Sequence, residues 1–318
     1  MRPLKPSALV SALAVLALVA AGCGDGDGGE GEDGDARPAE GGALGYALEA
    51  EPAEIDPLLA ADRSSQVVTR QVHEPLISAL TGPFGDVRAV PGLAQSSSST
   101  GDSTIWRFRL RPRVRFQDGT PFNASAVLAN ADRWLASEDG GSLLPNLVAV
   151  DAPRPDRVRF ILNGPDVAFP ELLADARLGL VSPQALEGGE AIGGTDVGTG
   201  TGAFELRESE GDGTTVLARN AEWWGSRLDL GPALDQIVFP VAAEASERAA
   251  LLAEGEVEVA DALTPAAAET VRSDPLLTVE GGEIGQPIGL ERSVRGLDSD
   301  AAVPVLSGVW LTTVGVGE

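Results

Sequence analysis

Trp106-Arg-Phe-Arg-Leu-Arg-Pro-Arg-Val-Arg-Phe116, followed by Asp118-Gly-Thr-Pro-Phe-Asn-Ala124, is the stretch on which the fold reading turns. Trp106, Phe108 and Leu110 alternate with Arg107 and Arg109, the period-two pattern of a strand with one apolar and one wet face. Pro112 interrupts the run, and Val114 and Phe116 begin a second strand. The arginines at 107, 109, 111, 113 and 115 are read as the wet face of a hairpin rather than as an anion site. Asp118-Gly119 reads as a turn. Asn123 reads as a helix N-cap, because Val127, Ala131, Trp134 and Leu135 follow at helical spacing.

Strand and helix patterns continue to alternate on both sides. Leu44 to Glu49 reads as a strand, and Ser64 to Leu80 as one helix with Val68, Val72, Leu76 and Leu80 along a face. Val158, Phe160 and Leu162 alternate as a strand. Further strands are expected at 203–207, 214–218, 237–241 and 257–261, with a helix from about Ser246 to Glu254 closed by Gly255. The fold class is therefore α/β with mixed sheets and several non-sequential strands.

The N-terminus has a different character. Arg2 and Lys5 precede an apolar run from Ala8 to Ala21, and Ala21-Gly22-Cys23 ends it. This stretch of fourteen residues falls short of the roughly 20 that a membrane-crossing helix needs, so residues 1–22 are read as a cleaved lipoprotein signal and Cys23, the only cysteine, as the acylated N-terminus. Residues 23–43 are Gly- and acid-rich with almost no large apolar side chain and read as a tether, the Asp25 and Asp27 spacing being no calcium loop. The formal charge of −25 argues against nucleic acid as a partner. A lone cysteine allows no intramolecular disulfide. No Gly-rich segment leads into Lys-Ser or Lys-Thr, which excludes a P-loop.

Several of these stretches, in order, resemble the family 5 extracellular solute-binding proteins of ABC importers, the group of oligopeptide- and dipeptide-binding lipoproteins. They are Ile55-Asp-Pro57, Val72-His-Glu-Pro-Leu76, Pro91-Gly-Leu-Ala94, the 106–124 stretch, Gly200-Thr-Gly-Ala-Phe204, Leu217-Ala-Arg-Asn220, Trp223-Trp-Gly225, Leu234-Asp-Gln-Ile-Val-Phe239 and Gly255-Glu-Val-Glu-Val259. The resemblance implies a type II periplasmic-binding-protein-like fold of two lobes with the ligand between them. Residues 44–280 would form lobe I, and 290–318 its C-terminal return segment, carried by Ser293 to Leu297 and Val309 to Leu311. Lobe II would be missing, with Gly281 to Gly289 as the loop that joins the two ends.

The same resemblance sets the expectations for function. The partners are a peptide or small-molecule solute, an ABC permease and the outer face of the plasma membrane through the lipid anchor. A single wall predicts weakened binding, and it leaves open a membrane-anchored interaction protein, a homodimer through the exposed cleft face, or a decayed paralogue. Glu51 falls at the cleft end of the first strand, where it meets a ligand amine or stands as a solvated loop acid. Gly200, Thr201 and Gly202 fall near the lobe crossover, where the backbone approaches a ligand or makes a structural turn. Trp223 and Trp224 are read as core side chains pointing apart, not as a sugar-stacking pair. His73, the only histidine, is read as structural or surface. No metal-ligand cluster or nucleophile motif accompanies it, so no enzyme activity, cofactor or metal is expected.

Overall fold

The computed structural model describes residues 41–81, 87–188, 199–207, 213–228, 232–275, 277–281, 287–291, 294–295 and 315–316. Cys23, most of the 23–43 tether and the expected closing strand at 309–311 lie outside them. In chain order the elements are β1 (Ala43–Ala47), α1 (Arg63–Val72), β2 (Ile77–Thr81), β3 (Val87–Pro91), β4 (Ala94–Ser99), β5 (Ile105–Leu110), α2 (Ala124–Ala136), α3 (Glu138–Leu143), β6 (Leu147–Arg154) and β7 (Arg157–Leu162). They continue with α4 (Phe169–Leu172), α5 (Pro183–Glu187), β8 (Phe204–Leu206), β9 (Thr215–Arg219), β10 (Gln236–Phe239), α6 (Ala245–Ala253) and β11 (Val259–Ala260). After these come α7 (Pro265–Arg272), β12 (Leu277–Gly281), β13 (Pro287–Glu291), β14 (Val294–Arg295) and β15 (Gly315–Val316).

Two larger sheets carry the fold. The first is antiparallel, in the order β4-β5-β7-β6, and α2 packs on its apolar face. Asn123 caps α2 as expected, its side chain accepting from the amides of Ser125 at 2.8 Å and Ala126 at 3.2 Å. Phe108 and Phe160 meet edge to face across β5 and β7 with ring centres 5.3 Å apart, and Phe169 follows at 5.5 Å. Trp134 closes the core from α2. Asn130 on the same helix is fully buried and satisfied, its amide donating to the carbonyls of Ala126 and Val181 and its oxygen accepting from the Val181 amide. The side chain thus pins the 181 segment to α2.

The second sheet has seven strands in the order β12-β13-β11-β1-β10-β9-β8. Central β1 runs parallel to both β10 and β11, while the remaining pairs are antiparallel. The β10–α6–β11 connection therefore passes over β1, and three strands deliver their carboxyl ends to one edge. Leu44, Tyr46, Phe204, Leu217, Ile237 and Phe239 pack with Val68 and Val72 of α1 in one core. Ala249, Leu252, Ala268 and Val271 of α6 and α7 pack beside β11 in another.

Several expectations are corrected in detail. The helix expected over 64–80 ends at Val72, and residues 77–81 form β2. The cause is Pro75, whose ring drives Glu74 out of helical geometry and which has no amide to continue the ladder. Val114 and Phe116 do not form a second strand. Phe116 donates to the Thr120 carbonyl in a tight turn, with one isolated bridge between Arg115 and Pro121. The partners of β5 are instead β4 and β7, so Arg107 and Arg109 lie on the wet face of a four-stranded sheet. β12 and β13 pair as a hairpin, Gly281 opposite Pro287, and β13 enters the seven-stranded sheet beside β11. Within the expected joining loop, residues 287–289 are thus strand.

Because Phe160 has no exposed surface and touches two other rings, its truncation leaves a cavity. Phe160→Ala is expected to cost about 3–5 kcal/mol, read as a lower urea midpoint with an unchanged slope.

Candidate functional site

In open sheets with parallel strands, ligands meet the crevice outside the strand carboxyl ends, near a point where connections diverge. Here that edge is formed by residues 48–51 after β1, 240–244 after β10 and 261–263 after β11. The β1 and β10 ends stay paired beyond the strands proper. Leu48 donates to Pro240, and Ala242 donates back to Leu48, both at 2.9 Å.

Two buried arginines fix this edge. Arg63, the first residue of α1, donates through Nε and Nη2 to both oxygens of Asp261 at 2.7 and 2.6 Å. Burial alone would lower the Arg63 guanidinium, but the Asp261 carboxylate outweighs it and holds the group above its ordinary value. Removing either partner would strand a buried charge. Arg248 of α6 is 2% exposed and donates only to carbonyls, those of Ala242, Ala243, Asp261 and Ala262. It ties the ends of β10 and β11 together. Tyr46 of β1 is fully buried, and burial with the neighbouring Asp261 pushes its phenol well above the usual range. On the solvent side of this frame stand Glu49 and Glu51, both exposed. The edge is thus acidic outside and rigid beneath.

Glu51 therefore sits beyond the carboxyl end of β1. The other expected residues lie elsewhere, in a strap that packs on protein backbone. A Cβ added at Gly200 would fall 1.8 Å from the Val72 carbonyl oxygen, and one at Gly202 would fall 2.2 Å from that of Gln71. The Gly202 amide donates to Val72 at 2.9 Å, and Gln117 holds the strap from the other side through its amide to Gly200 and its Nε2 to Gly202 and Phe204. Thr201, 1% exposed, donates its hydroxyl to Glu74 at 2.7 Å. The structure brings Gly200, Thr201 and Gly202 together around the end of α1 and leaves Glu51 apart from them.

The strap leads to a buried polar cluster that sequence reasoning missed. Glu74 is 2% exposed, and besides Thr201 it accepts from the indole Nε1 of Trp224 at 2.8 Å and of Trp223 at 3.3 Å. The two tryptophans do not point apart. Residues 224–228 coil into a 3₁₀ turn, so both N–H groups converge on one carboxylate with ring centres 5.2 Å apart. Arg111 lies over the Trp224 ring with Cζ 4.1 Å from its centre. Next along the chain, His73 is fully buried, with Nε2 3.3 Å from the Thr199 hydroxyl. The usable signal was the Glu-Pro pair, which stops a helix and leaves an acid facing inward.

Burial holds the Glu74 carboxyl up at about 7, against the pull of its three donors and Arg111, and burial holds the His73 imidazole down at about 4. The unfolded values are near 4.5 and 6.5. Glu74, being raised, contributes stability that is full below about 4.5 and is lost as the pH rises through about 7. His73, being depressed, contributes stability that is full above about 6.5 and is lost as the pH falls through about 4. Between pH 4.5 and 6.5 each state holds one proton on the pair, on Glu74 when folded and on His73 when unfolded, so the two slopes cancel. Glu74→Gln is expected to expose the histidine slope, stability rising relative to wild type by up to about 1.4 kcal/mol per pH unit across this window. His73→Gln should expose the opposite slope. Urea unfolding at three pH values checks both, and curves parallel to wild type would contradict the assignment.

Among the described residues, no group of three His, Cys, Asp or Glu side chains is placed to hold a metal, and no helix is long and apolar enough to cross a membrane. His73 and Glu74 are both closed off from solvent.

Comparison with known proteins agrees with this architecture. Residues 88–295 match the family described as bacterial extracellular solute-binding proteins, family 5 middle. The glutathione-binding protein GsiB of Escherichia coli is 34% identical over 212 residues, covering 65% of this chain and 39% of the relative, and GsiB of Shigella flexneri is equally similar. The chain thus spans well under half the length of these curated relatives. Among solved structures, the periplasmic binding protein DppA from Helicobacter pylori in complex with the peptide STSA superposes with a TM-score of 0.65 at 24% identity, covering 77% of this chain and 51% of that one. The oligopeptide-binding protein AppA from Bacillus subtilis, in complex with a nonapeptide, gives 0.65 at 20% identity over 76% and 48%. The strand order, the carboxyl-end edge and the family match lead to one assignment: the chain belongs to the family 5 bacterial extracellular solute-binding proteins.

Proposed function

We propose that this protein is a substrate-binding lipoprotein of an ABC-type importer for peptides or related small solutes. Cys23 carries the lipid that holds it to the outer face of the plasma membrane, and a membrane permease is its partner. Residues 44–280 with the return segment 290–318 form lobe I. The observation that carries this reading is the rigid edge at the carboxyl ends of β1, β10 and β11, in a chain whose relatives include binding proteins for glutathione and peptides. The role is binding, not catalysis.

An extended peptide exchanges water for protein partners along its backbone, and enclosure in a dry site makes that exchange favourable. Lobe I supplies one wall of such a site. Glu49 and Glu51 present negative charge where the α-amine of a peptide would approach, and they disfavour a free carboxylate at the same place.

Calorimetric titration with short peptides and glutathione is expected to show saturable heat of binding. Native mass spectrometry of freshly purified protein should show co-purified peptide masses. Glu51→Gln should weaken a peptide with a free amine by about threefold to tenfold and leave its N-acetylated form unchanged. No bound mass and no heat would contradict solute binding.

A further inference from the structure

The outward face of the four-stranded sheet departs from the rest of this acidic chain. On β5, Phe108 and Leu110 turn to the core, so Arg107 and Arg109 turn out; on β7, Val158 and Phe160 turn in, so Arg157 and Arg159 turn out. The register sets Arg107 directly opposite Arg159 and Arg109 directly opposite Arg157. β6 adds Arg154 opposite Arg157 and Asp151 opposite Arg159, and β4 adds Ser96 and Ser98. Five guanidinium groups thus stand on one face, Cα atoms about 5 Å apart between strands and about 7 Å apart along them.

Among the described residues, two carboxylates answer them. Asp151 takes Arg159 in a bidentate pair at 2.7 and 2.5 Å, and Asp156 in the β6–β7 turn lies 3.9 Å from both Arg154 and Arg157. Among the described residues, Arg107 and Arg109 make no ion pair or hydrogen bond, and both are exposed. Like charges directly opposite each other oppose strand pairing. Acids outnumber bases by 48 to 23 in this chain, so neutral or acidic residues were available for these positions. The fold alone gives no reason to place two arginine pairs face to face.

We propose that this arginine face docks on an anionic phospholipid surface. The face is the outward side of an antiparallel sheet and shows, among the described residues, no exposed aromatic anchor to read a protein partner. Guanidinium groups gathered on one sheet face fit the phosphates of a lipid surface, each fork donating to a pair of phosphate oxygens. The net charge of −25 adds orientation, because the acidic remainder of the molecule is repelled by the same surface. Docking would hold the sheet against the bilayer in which a permease resides. The inference rests on the charge geometry and stands whether or not the protein binds peptides.

The test is flotation of the purified full chain with vesicles of phosphatidylglycerol and phosphatidylcholine, compared with pure phosphatidylcholine, for wild type and the double variant Arg107→Ser/Arg109→Ser. Both arginines are exposed and unpaired, so the variant should unfold at a urea midpoint no lower than wild type. Insertion through the apolar N-terminal run is common to both proteins and both vesicles, so the charge effect is read as the difference between them. At low salt, each arginine is expected to contribute about fivefold, so the variant should lose about 30-fold in affinity for the anionic vesicles. Raising the ionic strength to about 0.5 M should abolish the wild-type preference. Equal partition of the two proteins, or no preference of the wild type for anionic vesicles, would overturn the proposal. Binding to soluble polyglutamate without binding to anionic vesicles would overturn it in favour of an acidic protein partner.

Discussion

A single carboxylate carries the junction between the two sheets. Glu74 leaves the end of α1, whose valines pack under the seven-stranded sheet, and is followed by Leu76 and Ile77, which enter the core of the four-stranded sheet. Its acceptors are occupied by the strap before β8 and by the Trp223–Trp224 turn, and Trp224 packs against both cores. Thr201 and Trp223 are buried and Trp224 is half-buried, so losing the acceptor would leave two buried polar hydrogens without a partner, at about 1–3 kcal/mol apiece. The constraint is therefore mutual: strap, turn and helix end hold one another through one side chain.

That junction matters for the proposed function because it sets what the edge at the strand carboxyl ends rests on. α1 supplies Arg63 at one end, gripping Asp261 beneath the rim, and the Glu74 cluster at the other. Arg248 closes the frame by capping four carbonyls at the ends of β10 and β11. A binding wall built from strand ends keeps its shape only if those ends are satisfied internally, since unpaired carbonyls would otherwise compete for the ligand's donors. The acids Glu49 and Glu51 are then left to act outward.

How much of this was legible in the sequence depends on the physics of each element. Strands with clean alternation, such as β5 and β7, and a helix with an explicit cap, such as α2, were readable because local pattern and burial agree there. β4 was not, because Gln95 and the serines at 96–99 sit on an exposed edge strand and carry no alternation. The over-long first helix shows a periodic apolar pattern continuing across Pro75, where backbone chemistry overrides it. The 200–202 strap was legible as a close backbone approach, but sequence could not say that the backbone approached is that of α1. The tryptophan pair was misread because a strand rule was applied to residues that form a helical turn. The partners of buried Glu74 and Arg248 were invisible for a simpler reason: the elements that satisfy them lie far off in sequence, at 201, 223 and 224 for the first and at 261 and 262 for the second.

The ionisation of Glu74 can be observed at its partners. With indole nitrogen-15 labelling, the Trp223 and Trp224 N–H resonances should move together in a pH titration with a midpoint near 7, and the movement should vanish in Glu74→Gln. A midpoint near 4.5, or indole resonances that titrate independently of Glu74, would contradict the buried carboxylate as the joint between the two sheets.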